Sequence, residues 1–96
     1  MFGLPQKTLD QIVEALRQYP QIQWVKIYGS RARGNYKIGS DIDLAFSANE
    51  NISAKLRTAL DELSTPYLFD VTYYESLSNE NLKSHIDRVG KDIYPV

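Results

Sequence analysis

Tyr28-Gly29-Ser30-Arg31-Ala32-Arg33-Gly34, followed after four residues by Gly39-Ser40-Asp41-Ile42-Asp43-Leu44, is the stretch on which the architecture turns. Upstream of the glycine, Ile22 to Tyr28 is rich in β-branched and aromatic residues and reads as a strand. Gly29-Ser30 punctuates it. Residues 30–34 read as a short helical turn closed by Gly34, and Asn35 to Ser40 as a polar loop carrying Gly39. In Asp41 to Phe46, Ile42, Leu44 and Phe46 alternate with Asp41, Asp43 and Ala45. Side chains alternate faces along a strand, so both aspartates share one face while the apolar set enters the core.

Outward from this stretch the chain alternates between helix and strand. Leu9, Ile12, Val13 and Leu16 fall on one face of a helix over residues 6–18, and Pro20 ends it. Ile52, Leu56, Ala59, Leu60 and Leu63 repeat at helical spacing and predict a second helix over 52–64. Tyr67 to Tyr74 reads as a third strand, with Leu68, Asp70 and Thr72 on one face and Phe69, Val71 and Tyr73 on the other. A last helix begins after a cap at Ser78 or Asn79, buries Leu82, Ile86 and Val89, and stops at Gly90. Lys91 to Val96 is an extended tail. The order predicts one small α/β (α+β) domain over residues 1–96, a mixed sheet of three or four strands with the helices packed on one side.

Composition narrows the function. With 96 residues, a single modest core is possible and a second is not. The absence of cysteine excludes disulfides, thiol nucleophiles and thiolate metal sites. No apolar run approaches the ~20 residues of a membrane span, and Met1-Phe2-Gly3-Leu4-Pro5 does not resemble a secretory signal, so the expected location is the cytoplasm. Eleven basic against 12 acidic residues, a net charge of −1, give no overall attraction to nucleic acid. The one basic cluster, Arg31, Arg33 and Lys37, lies inside the opening stretch.

The residues of that stretch suggest phosphate and metal chemistry. Glycine at position 29 lets backbone approach a ligand closely. N–H groups opening a helical turn, with the Ser30 hydroxyl beside them, suit an anion. Arg31 and Arg33 either add charge-assisted bonds to phosphate or a partner, or are simply solvated. Ser40 fits ordering of the loop better than chemistry. Asp41 and Asp43 on one strand face repel each other unless a hard cation neutralises them. Asp70, mid-strand between Phe69 and Val71, supplies a third carboxylate if the second and third strands are neighbours; on an edge strand it could also rest in water. Three carboxylates can hold two metal ions roughly 3.5–4 Å apart, the clamp of phosphoryl-type transfer, with Asp70 placed to take the proton of an attacking hydroxyl. His85, the only histidine, reads as structural or surface.

The spacing of Gly29-Ser30 and Asp41-x-Asp43 resembles the signature of the DNA polymerase β-like nucleotidyltransferase superfamily. Its wording closely resembles the minimal nucleotidyltransferase (MNT, MntA-like) branch, and Asp70 in Phe69-Asp70-Val71 matches that family's third carboxylate. The resemblance covers about Ile22 to Tyr74. It implies a polymerase β-like fold, two Mg²⁺ ions on Asp41, Asp43 and Asp70, ATP as substrate, and nucleotide contacts from Gly29, Ser30, Arg31, Arg33 and Ser40. It further implies an antitoxin that transfers AMP to a tyrosine of a helical HEPN-domain toxin. The alternatives are an antitoxin that neutralises its partner by binding alone, and a subunit that modifies a small molecule or RNA with a helical partner. Near-neutral charge counts against RNA.

Overall fold

The computed structural model describes residues 1–37 and 39–96. The elements are α1 (Gln6–Leu16), β1 (Ile22–Tyr28), α2 (Gly29–Arg33), β2 (Ile42–Ala48), α3 (Ser53–Asp61), β3 (Phe69–Tyr73), a 3-10 turn (Tyr74–Ser76), α4 (Glu80–Val89) and β4 (Lys91–Tyr94). The expected loop Asn35 to Ser40 is seen apart from Ile38, which lies outside the described residues. The sheet order is β3-β2-β1-β4. β1 runs antiparallel to both β2 and β4, while β2 and β3 are parallel. A parallel pair needs a crossover, which α3 provides.

Local chemistry explains where the elements stop. The αL backbone at Gly34, φ 85°, closes α2, and its N–H reaches the Ser30 carbonyl at 3.0 Å. Asn79 caps α4 by accepting from the Asn81 and Leu82 N–H groups at 2.9 and 3.1 Å. Asn51 accepts from the Ser53 N–H at 3.0 Å, which helps start α3 one residue later than its apolar spacing predicts. β2 begins at Ile42, so Asp41 sits just outside the strand, and Tyr67, Leu68 and Tyr74 fall outside β3. The expected extended tail is a fourth strand, held to β1 at Val25, Lys26 and Ile27.

One face of the sheet carries the main core. Val25, Ile27, Ile42, Leu44, Phe46, Phe69 and Val71 pack there against Leu9, Ile12 and Leu16 of α1 and Leu56 and Leu60 of α3. Each such side chain contributes about 1.5–3 kcal/mol by leaving water. The opposite face is covered in part by α4, whose Ile86 packs on Tyr28 and Ala45. The helices are therefore not on one side, as the sequence order suggested: α1 and α3 lie on one face and α4 on the other. Ala45, wholly buried on that face, is the small residue on which Ile86 packs.

Candidate functional site

Three strands bring their functional residues to one end of the sheet. Tyr28, the last residue of β1, is the register partner of Asp43. Asp43 in turn is the partner of Asp70 across the parallel ladder. Paired residues point to the same face, so Tyr28, Asp43 and Asp70 form one row on the α4 side. The next row, Ile27-Leu44-Val71, points into the main core. Asp41 precedes the row by two residues and is exposed, as is Asp70; Asp43 is half-buried.

Burial holds the Asp43 carboxyl above its ordinary range, and the negative charges of Asp70 and then Asp41 push the same way. All three carboxylates thus act within one field. No salt bridge neutralises any of them among the described residues. Gly29 sits directly over this group at φ 73°, and a β-carbon there would collide with the Asp43 carboxylate. The glycine is required both by its backbone conformation and by that close approach.

Tyr28 reaches across β2 above Ala45 to share a 3.0 Å hydrogen bond between its hydroxyl and that of Thr72. Burial raises the Tyr28 phenol above its usual range; the Thr72 bond works against this, and the Asp70 and Asp43 charges add to it. The edge of its ring meets His85 of α4 at 6.0 Å between centroids. Tyr28, Thr72 and His85 therefore belong to the site's surroundings, although only Tyr28 stands within the motif and His85 reads from the sequence as structural or surface. The available signal was alternation: Tyr28 shares the face of Trp24 and Lys26, and Thr72 that of Asp70.

The other expected contacts divide. The Ser30 hydroxyl makes no hydrogen bond among the described residues, and exposed Arg33 makes no ion pair. Arg31, expected at phosphate or in solvent, is instead buried at 3% exposure. Its Nε and one terminal nitrogen donate to the Ser40 carbonyl at 3.2 and 2.8 Å, and the other terminal nitrogen donates to the Phe2 carbonyl at 3.0 Å. The guanidinium lies 5.3 Å from the Tyr36 ring centre and 5.1 Å from that of Tyr67. Among the described residues it forms no salt bridge, and its contacts are backbone carbonyls and aromatic faces. Ser40 orders the loop, its hydroxyl accepting the Lys37 N–H at 2.8 Å.

Among the described residues, no three carboxylate or imidazole groups are drawn together tightly enough to enclose a metal by themselves. The donor set nevertheless fits Mg²⁺, which takes one or two carboxylates together with waters and substrate phosphates and seldom an all-protein cage. The fit rests on the burial of Asp43 and its repulsion by Asp70 and Asp41, and on the close approach of the Gly29 backbone to its carboxylate. No helix is long and apolar enough to cross a membrane among the described residues.

Comparison with known proteins gives a consistent result. No curated protein sequence matches the chain. A solved toxin–antitoxin with AMP-PNP is similar at 25% identity and a TM-score of 0.70, covering 92% of this chain and 73% of that one. The MntA–HepT toxin–antitoxin has the same fold at 23% identity and a TM-score of 0.65, over 96% and 74% of the two chains. So does a tri-AMPylated Shewanella oneidensis HEPN toxin in complex with MNT antitoxin, at 23% identity and a TM-score of 0.65, over 95% and 72%. The sequence profile of the polymerase β nucleotidyltransferases matches residues 10–95, and with the glycine turn seated on the carboxylate row this chain belongs to that family.

Proposed function

We propose that this chain is a Mg²⁺-dependent transferase that moves AMP from ATP to a tyrosine hydroxyl of a HEPN-type toxin, and so acts as its antitoxin. The observation that carries the proposal is the register pair Asp43–Asp70, with the Gly29 backbone in close approach to the Asp43 carboxylate. Similarity to a toxin–antitoxin with AMP-PNP supports the nucleotide and the kind of partner.

In this reading Asp41, Asp43 and Asp70 would hold Mg²⁺, which supplies positive charge for the phosphates and for the oxygens of the transition state. The chain's own atoms do the rest. The Gly29–Ser30 turn brings backbone N–H groups and a free hydroxyl to the triphosphate. Arg33, exposed on α2, is the arginine available to phosphate oxygens. The acceptor oxygen attacks the α-phosphorus, the bond to the bridging oxygen of pyrophosphate breaks, and the acceptor's proton passes to the Asp70 carboxylate. Asp70 suits that role because it is exposed, whereas Asp43 is half-buried.

Intact-mass spectrometry of the helical partner, after incubation with this chain, ATP and Mg²⁺, tests the proposal. A gain of one or more AMP units, absent with the Asp41→Asn/Asp43→Asn double variant, is the expected result. A stable complex without any gain would replace catalysis by neutralisation through binding alone.

A further inference from the structure

We infer that Arg31 is the positioning residue of the site: its buried guanidinium sets the place of Asp41, and thereby of the metal, without touching substrate. This rests on the carboxylate reading proposed above. Two of its N–H groups converge on a single acceptor, the Ser40 carbonyl, at 3.2 and 2.8 Å. That carbonyl belongs to the peptide bond that leads into Asp41. Asp41 lies outside β2, so ladder bonds do not hold it as they hold Asp43 and Asp70. The peptide bond that follows Asp41 is held by the Ile42 N–H donating to the Leu68 carbonyl at 2.9 Å, and the fork on Ser40 is the anchor of the peptide bond that precedes it.

The same guanidinium also reaches the other segments that meet here. It belongs to α2, one residue after Ser30. A third N–H fixes the Phe2 carbonyl at 3.0 Å, and the Tyr67 ring lies against it three residues before Asp70. Tyr36 covers it from the loop side, in a hollow of about 410 Å³ that Gly3, Gly39 and Pro66 also line. A buried cation without a carboxylate partner costs free energy. Carbonyl dipoles and aromatic faces offset this only while all of these segments stay together. Lysine carries the same charge but cannot place two donors on one carbonyl in a fixed plane. Arg31→Lys therefore separates geometry from charge.

The test is paramagnetic broadening of backbone amides by Mn²⁺ in the presence of AMP-PNP, with the melting temperature measured alongside. In the wild type, Asp41, Asp43 and Asp70 broaden together at the same Mn²⁺ concentration. In Arg31→Lys, Asp41 should need about tenfold or more Mn²⁺, as expected for loss of a group that orients a ligand, while Asp43 and Asp70 lag less. Tyr36→Leu, at a partly exposed position, gives the same ordering more weakly and decides the matter if Arg31→Lys does not fold. Joint broadening at the wild-type concentration in a folded variant overturns the role of Arg31. Absence of broadening at all three aspartates in the wild type instead overturns the metal site, and this inference with it.

Discussion

Asp43 and Asp70 face each other in register across a parallel ladder, like charge against like, with no salt-bridge partner for either among the described residues. Such a pairing costs roughly 0.2–1 kcal/mol where strands set carboxylates directly opposite. Asp43→Asn should therefore raise the melting temperature at pH 7 in the absence of Mg²⁺, while transfer is lost. A lower melting temperature than wild type would show that the Asp43 charge is not repelled in the fold.

The same residue sets a pH dependence. The folded chain holds the Asp43 proton more tightly than the unfolded chain does, because its carboxyl lies above the ordinary 3.8. The unfolded state then binds fewer protons, so stability falls as pH rises from 3.8 through the folded value, and the loss is complete above it. The advantage of Asp43→Asn should be full at neutral pH and shrink as pH drops through that window. Paired thermal melts of both proteins across the acid range measure it.

Gly29→Ala meets two obstacles, a left-handed backbone and the Asp43 carboxylate. Residues forced into such conformations cost of order 1–3 kcal/mol. Chemical denaturation should show a loss of about that size, with transfer abolished even at temperatures where the variant is folded.

Ala45→Leu tests the roof over the sheet. Ala45 is fully buried beneath Tyr28 and Ile86. Extra methylenes in a packed site cost about 1–3 kcal/mol. The Tyr28–Thr72 hydrogen bond should break, visible as a shift of the Tyr28 ring resonances.

Asp70→Asn and Arg33→Ala should separate chemistry from binding. Losing the proposed proton acceptor should lower kcat about 10²–10⁴-fold and, since Asp70 is also a proposed Mg²⁺ ligand, raise the Mg²⁺ concentration required. Arg33→Ala, at an exposed position, should leave stability within about 0.5 kcal/mol and raise KM for ATP by up to about tenfold. An unchanged KM would assign Arg33 to solvent.

How far the sequence could be read depended on what kind of contact made each feature. β1 runs over the expected Ile22–Tyr28, because β-branched and aromatic residues bounded by Pro20 and Gly29 leave little choice. Gly34 and Asn79 end and begin helices through their own side chains or lack of them. The stripe of Leu82, Ile86 and Val89 indicated a buried face, but not which side of the sheet would bury it. Ile86 packs on Ala45 and Tyr28, on the face that the aspartates marked as polar. β4 was missed as a strand because Lys91-Asp92-Ile93-Tyr94 is short and half charged, and is held by backbone bonds to β1. The burial of Arg31 was invisible for a similar reason: its hydrogen-bond partners are main-chain carbonyls, which no pattern of side chains encodes. At the site, the strand alternation expected from Asp41 onward holds only from Ile42, which leaves Asp41 outside β2, and the Asp43–Asp70 register required knowing that β2 and β3 are parallel neighbours.

The carboxylate row occupies one end of β2, and the exposed bend at Asn49 follows its other end, roughly 20 Å away at strand rise. The chain contains no cysteine. Asn49→Cys would thus create a lone thiol, free of competing reaction, at the opposite end of β2 from the carboxylate row. A fluorophore attached there turns the molecule into its own binding reporter, so that docking of a partner can be followed by energy transfer while the carboxylate end is left unmarked.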